Sequence, residues 1–369
     1  MSNPARAFKG AEGNGRQSAE DQFGVVAVKA RSVLRTSTVA SLALVVLVST
    51  ASCSPGGNAS AVPSSPAAYG QTGAAAIQRP LDGRLYFTRT DDGDVQAVFV
   101  AIGASERRLT SRGEVCCILR ASPGHDRLLV MPGGDIEPPI TGGTVNLNGG
   151  DFERIPLTDP TLNLVPQAWS PDGSRIAFEG WDDADPSRTG IYTARASDGG
   201  DLVRVTNRPG SLHDVPLDFS PDGTQLVFYH SAHPDPDPHT DGSLWVVNVD
   251  GSDAHPITTE ASPPADWARW SPDGGRILFA SERLSETGPI WTVSPAGTEL
   301  TTVFEDPDGG FALAPDWSPD GAEIVFALGP SNDEFTHQPN AIYVISADGD
   351  DVRLVDDSPD FKRQLEWVR

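Results

Sequence analysis

A turn written at a nearly constant interval, Ser-Pro-Asp-Gly, limits what this chain can fold into more than any other feature. Near-identical copies span Trp169 to Gly173, Phe219 to Gly223, Trp270 to Gly274 and Trp317 to Gly321, with aromatic residues 50, 51 and 47 positions apart. A degenerate copy, Ala121-Ser122-Pro123-Gly124, begins 48 residues before Trp169. Pro80-Leu81-Asp82-Gly83 supplies a sixth copy without its front half, and that half reappears at Trp367, 50 residues after Trp317. Serine opens such a turn, proline fixes φ at the second place, aspartate tolerates the third, and glycine takes the strained exit. The motif therefore predicts a hairpin.

After each turn the chain alternates, so that Leu85 and Phe87, Leu128 and Val130, Ile176 and Phe178, Leu226 and Phe228, Ile277 and Phe279, and Ile324 and Phe326 share a face. Alternation of this kind predicts a half-buried strand. A second apolar element follows in every unit, for example Leu244-Trp245-Val246, and a third closes it, for example Pro256-Ile257-Thr258. With the short strand before each turn, that makes four strands per unit. One such unit cannot bury both faces alone, so six of them at this period predict an all-β fold, a six-bladed β-propeller of four-stranded antiparallel blades. The split repeat predicts its closure: a C-terminal inner strand, Gln364 to Trp367, joins the three N-terminal strands that begin near Leu85.

The repeated Trp-Ser-Pro-Asp-Gly with its apolar-x-Phe strand resembles the WD40-like repeat of TolB-type propellers, over roughly residues 80 to 369. The resemblance implies a protein-binding propeller. TolB carries a separate N-terminal domain that makes some of its partner contacts, and here only a tether occupies that place, so TolB's partners do not carry over.

Residues 1–52 read as an export signal with a long n-region. Lys29, Arg31 and Arg35 precede the uncharged run Val39 to Val48, which meets Ser49-Thr50-Ala51-Ser52-Cys53, the layout of a signal peptide. The apolar run is shorter than the ~20 residues of a spanning helix; a retained anchor is the second reading. Small residues before a cysteine resemble the lipobox of bacterial lipoproteins, which implies lipid attachment at Cys53, although Thr50 stands where leucine is favoured. Residues 53–78, rich in Gly, Ser, Pro and Ala, read as a flexible tether, and residues 79–369 as the propeller. The expected location is the cell envelope, exported and lipid-anchored.

The formal charge is −24, and because residues 1–52 hold six basic and three acidic side chains, the remainder carries −27. Such a surface repels phosphate backbones and argues against nucleic acid as partner.

Asp172, Asp222, Asp273 and Asp320 recur because the turn places them, and they read as structural. No Gly-x-Ser-x-Gly elbow occurs, and no hydrolase domain is expected beyond the propeller. The segment His230 to Gly242 alternates carboxylates and imidazoles, with Asp235, Asp237, His239 and Asp241 as weak metal candidates; a solvated, proline-stiffened loop is the plainer reading. Cys116 and Cys117 are adjacent. In a strand they would point apart, which favours ordinary thiols over a disulfide between them. The expected function is a monomeric, non-catalytic binding scaffold without a cofactor, presenting a propeller face to a protein or envelope component. The alternative is a propeller hydrolase or lyase, or a small-ligand or metal sensor, at an acidic channel mouth; its candidates are His213, Asp214, His230 and His233.

Overall fold

The computed structural model describes residues 81–368 apart from 92–94, 103–104, 112, 135, 149, 151, 208–212, 232–241, 260–266, 281–287, 330–340 and 358–360. Among them lie six four-stranded antiparallel sheets, the blades of a propeller. Strands are numbered in chain order. Blade 1 combines β24 (Phe361–Val368) with β1 (Arg84–Asp91), β2 (Val95–Ile102) and β3 (Ser105–Arg108). Blades 2 to 6 each take four consecutive strands and begin at β4 (Arg120–Ala121), β8 (Asn163–Trp169), β12 (His213–Phe219), β16 (Arg269–Trp270) and β20 (Phe311–Trp317). The first strands of neighbouring blades touch one another around the whole ring, so β4, β8, β12, β16, β20 and β24 line its axis.

The five turns that lie wholly within the described residues form, and the serine, aspartate and glycine of the motif each have a bond to make. In blade 3 the Gly173 N–H donates to the Ser170 carbonyl at 2.8 Å, and the Ser170 hydroxyl donates to Asp172 Oδ1 at 2.6 Å. Asp172 Oδ1 also accepts the Ser174 N–H, and Ser170 Oγ accepts the Arg175 N–H. The glycines of blades 3 to 6 sit at φ of +70° to +73°, where a side chain is strained. Each turn of blades 3 to 6 rests on the proline of the turn before it: a Cβ at Gly321 would lie 3.3 Å from Pro272 Cδ, a tight contact, and one at Gly223 3.5 Å from Pro171 Cδ, an ordinary one. In blade 2 the positive φ, +52°, falls on His125 rather than on Gly124, and Asp126 takes over the bond to the serine hydroxyl.

One expectation needs correcting. The strand after each turn is buried on both faces, not one. Ile176 and Phe178 pack toward blade 2, while Ala177 between them packs toward blade 4. Leu226 and Phe228 against Val227, and Ile277 and Phe279 against Leu278, divide in the same way. The reason is the ring: every blade is sandwiched between two others, and each of the six junctions holds its own apolar cluster.

Closure follows the split repeat. β24 pairs antiparallel with β1, Leu85 opposite Trp367, and the Trp367 indole donates to the Asp82 carbonyl at 2.8 Å. Leu365 and Trp367 belong to the cluster between blades 6 and 1. Deleting residues 364–369 removes those side chains and the pairing of the last blade. Thermal denaturation followed by circular dichroism is expected to show a Tm lowered by more than about 10 °C, as befits a loss of several kcal/mol; an unchanged Tm contradicts this closure.

Candidate functional site

The axial strands place two groups of polar side chains along the channel, separated along β12 by about 15 Å of extended chain. The first lies at the turn face. The residue just before the aromatic position of the motif is Arg120 in blade 2, Ala168 in blade 3, Asp218 in blade 4, Arg269 in blade 5, Asp316 in blade 6 and Glu366 in blade 1. Five of the six are ionisable, and Arg120, Asp218, Arg269, Asp316 and Glu366 line one cavity of about 240 Å³. Four indoles, Trp169, Trp270, Trp317 and Trp367, wall it together with Pro123, Pro272 and Pro319.

These residues also join the blades, by two alternating bonds. Where the ring residue is acidic, its carboxylate accepts a backbone N–H of the next blade: Glu366 from Ala121 at 2.8 Å, Asp218 from Trp270 at 3.0 Å and Asp316 from Trp367 at 2.7 Å. Where it is arginine, the next blade's indole donates to the arginine's own carbonyl: Trp169 to Arg120 at 3.2 Å and Trp317 to Arg269 at 3.4 Å. Blade 3 contributes Ala168 and blade 4 offers Phe219, so that junction has neither a carboxylate to accept nor an indole to donate. It is bridged at the other face instead, by His213 and Glu179.

Burial dominates the electrostatics of the ring. It raises the pKa of Asp218 and Asp316, although Arg269 and Arg120 pull the other way. Burial, with repulsion from Asp316, pushes Glu366 up to about 8. Burial and then the facing charge of Arg269 bring Arg120 down to about 10. The turn aspartates behave oppositely: the Ser170 hydroxyl and the Ser174 backbone and side chain lower Asp172 to about 2.

The second group gathers at the opposite face. His213 and Asp214 begin β12, and His230 ends the neighbouring strand β13 (Gln225–Ser231), paired directly with Asp214. His230 Nδ1 lies 2.7 Å from Asp214 Oδ1, and Asp214 Oδ2 is buried with no hydrogen-bond partner among the described residues. His213 Nδ1 lies 3.2 Å from Glu179 Oε1. Burial alone would lower the His213 pKa, but the hydrogen bond and charge of Glu179 outweigh it and hold it raised. The structure thus brings together His213, Asp214 and His230, and adds Glu179, which the sequence reading did not single out.

His233, Asp235, Asp237, His239, Asp241 and Cys53 lie outside the described residues. Among the described residues no three His, Cys, Asp or Glu side chains converge to hold an ion. Cys116 and Cys117 lie outside any strand, Cys117 in a bend with Ile118 beside it at φ +61°. Their Sγ atoms lie 2.6 Å apart as free thiols, and the contact with Cys116, followed by burial, raises the Cys117 pKa.

Comparison with solved structures agrees with this architecture. TolB from Acinetobacter baumannii superposes with a TM-score of 0.56 at 16% identity, covering 78% of this chain and 68% of that one. The fold is TolB-like. A putative TolB from Agrobacterium tumefaciens gives 0.54 at 18% identity over 78% of this chain and 100% of that one. An oligogalacturonate lyase in complex with manganese gives 0.50 at 16% identity, covering 74% of each chain. Identities this low establish the fold alone. In sequence, 86 residues are 29% identical to the uncharacterized peptidase YuxL of Bacillus subtilis (strain 168), which is 23% of this chain but only 13% of that protein. No family model matches the chain.

The raised pKa of Glu366 has a sign that can be tested. Between the ordinary glutamate value of 4.5 and about 8 the folded protein keeps a proton that the unfolded chain has lost, so stability declines as pH rises through that window. His213, also raised, adds to the decline. Glu366→Gln keeps an acceptor for the Ala121 N–H and removes the titration. The wild-type unfolding free energy is expected to fall by on the order of a few kcal/mol from pH 5 to pH 8, and the variant's by clearly less. Parallel pH profiles contradict the assignment.

Proposed function

We propose that this chain is an exported, lipid-anchored and non-catalytic binding propeller, held to the membrane through Cys53 and a tether of residues 53–78, which presents the turn-face mouth of its channel to a protein or envelope component. The observation that carries the reading is the mouth itself. It combines a recess of about 240 Å³ with indole walls and buried guanidinium groups, the mixture of apolar surface and a few placed polar groups that characterises binding sites. The TolB-like fold supports a protein partner. The order of residues 29–53, basic, then apolar, then small, then cysteine, supports export with lipid attachment.

A second reading has one observation in its favour. Two pairs, Asp214 with His230 and Glu179 with His213, lie at the opposite face, and in the first a buried carboxylate orients an imidazole, an arrangement usable for acid–base chemistry. An oligogalacturonate lyase shares the fold.

Anchoring is tested by expressing the full chain in a bacterial host fed radiolabelled palmitate. Wild type is expected to carry label and to fractionate with membranes, and Cys53→Ala to lose at least nine-tenths of the label. Equal labelling of the two removes Cys53 as the attachment site. The choice between the two faces is tested by Trp270→Phe and His230→Ala: on the first reading ligand or partner binding weakens only with the former, and on the second only with the latter.

A further inference from the structure

We propose that the turn-face mouth of the channel is a carboxylate-binding site, with the anion seated between the guanidinium groups of Arg120 and Arg269. The inference rests on the reading of that mouth as the binding site and names the chemistry it receives.

Blades 2 and 5 stand opposite each other in a ring of six, so the two arginines approach across the channel. They are close enough for the charge of one to disfavour the charge of the other. Both are buried, at 9% and 4% exposure. Two like charges facing each other away from water are costly, and the carboxylates of Glu366, Asp218 and Asp316 offset that cost for Arg120 by charge alone.

Their hydrogen bonding is incomplete. A guanidinium has five N–H donors, yet among the described residues each of these makes a single hydrogen bond, from Nη1 to the carbonyl of the residue before it, at 2.7 Å for Arg120 and 3.0 Å for Arg269. The nearest carboxylate oxygens are 3.9 and 3.6 Å away, Glu366 Oε2 and Asp316 Oδ1, beyond hydrogen-bond reach. Glu366 and Asp316 each hold an N–H of the next blade through their other oxygen, Oε1 and Oδ2, and Asp218 holds the Phe219 and Trp270 N–H groups with its two oxygens. Arg120 Nε, Arg269 Nε and Trp270 Nε1 are buried without a hydrogen-bond partner among the described residues. All three are donors, so a ligand that completes them must bring acceptors.

Shape and charge narrow the ligand further. A planar monoanion matches the guanidinium fork. A phosphate dianion adds a second charge beside Asp218 and Asp316. The indole and proline walls suit a short apolar body behind the carboxylate. Two sources share this chemistry, a small free acid and the C-terminal carboxylate of a peptide.

The test is a titration of the full chain in detergent, read by indole fluorescence and by calorimetry. The probes are propionate, propionamide, propylammonium, inorganic phosphate, and acetyl-Ala-Ala with a free or an amidated C-terminus. Saturable binding of propionate or of the free-acid peptide is expected, at least ten-fold tighter than propionamide, the amidated peptide or phosphate. Trp270→Phe, which keeps the packing and removes one donor, is expected to weaken it several-fold, and Arg269→Gln at least ten-fold, with circular dichroism confirming that each variant is folded. A free-acid peptide that binds ten-fold tighter than propionate assigns the chain-end source, and equal binding assigns the small acid. Absence of saturable carboxylate binding, or binding unaltered in folded Trp270→Phe and Arg269→Gln, overturns the proposal. Binding of propylammonium or propionamide that is sensitive to Trp270→Phe, with none of the carboxylates, also overturns it while leaving the mouth as the binding face.

Discussion

The architecture depends on how one blade holds the next beside the axis, where polar side chains of the inner strands meet. The protein solves this at one position of the repeat. A carboxylate there reaches forward to a backbone N–H of the next blade, or an indole reaches back to the carbonyl behind it. The two devices alternate because each needs a particular residue pair: an acid before the aromatic position, or a tryptophan following an arginine. The junction between blades 3 and 4, with Ala168 and Phe219, supports neither, and the contact between His213 and Glu179 takes its place at the other end of the channel. Outside the axis, apolar clusters at all six junctions supply the bulk of the burial.

Most of the fold was legible in the sequence because its signal is local. Ser-Pro-Asp-Gly specifies a turn from its own four residues, and a regular interval turns one hairpin into a ring. Closure was legible for the same reason, since the two halves of one repeat stood at opposite ends. Burial on both faces was less so: alternate residues such as Ile176 and Phe178 suggested one apolar face, while the small or branched residue between them, Ala177 or Val227, looked like filler. A continuous apolar run was the available signal, and it is the mark of a strand covered on both sides.

The axial ring was missed. Its members stand one residue before the most visible motif of the chain, yet they change sign from blade to blade, so they show no period. Their partners lie about a repeat away, and only the closed ring makes Arg120 and Arg269 face each other. What the sequence did suggest at the other face, His213, Asp214 and His230, the fold does assemble, because the first two share one strand and the third pairs with them in register. Cys116 and Cys117 lie outside a strand, beside a positive φ at Ile118, so the alternation of a regular strand does not apply to them. The repeated aspartates remain turn residues, but the turns they build form the rim of the recess.

Native-state hydrogen exchange at the Ala121, Trp270 and Trp367 amides tests most directly whether side-chain carboxylates hold the blades together. If each amide is locked onto the preceding blade's carboxylate, all three exchange only through global unfolding, with the free energy of the most protected strand amides. Exchange through local opening, at the rates of exposed turn amides, would contradict the account.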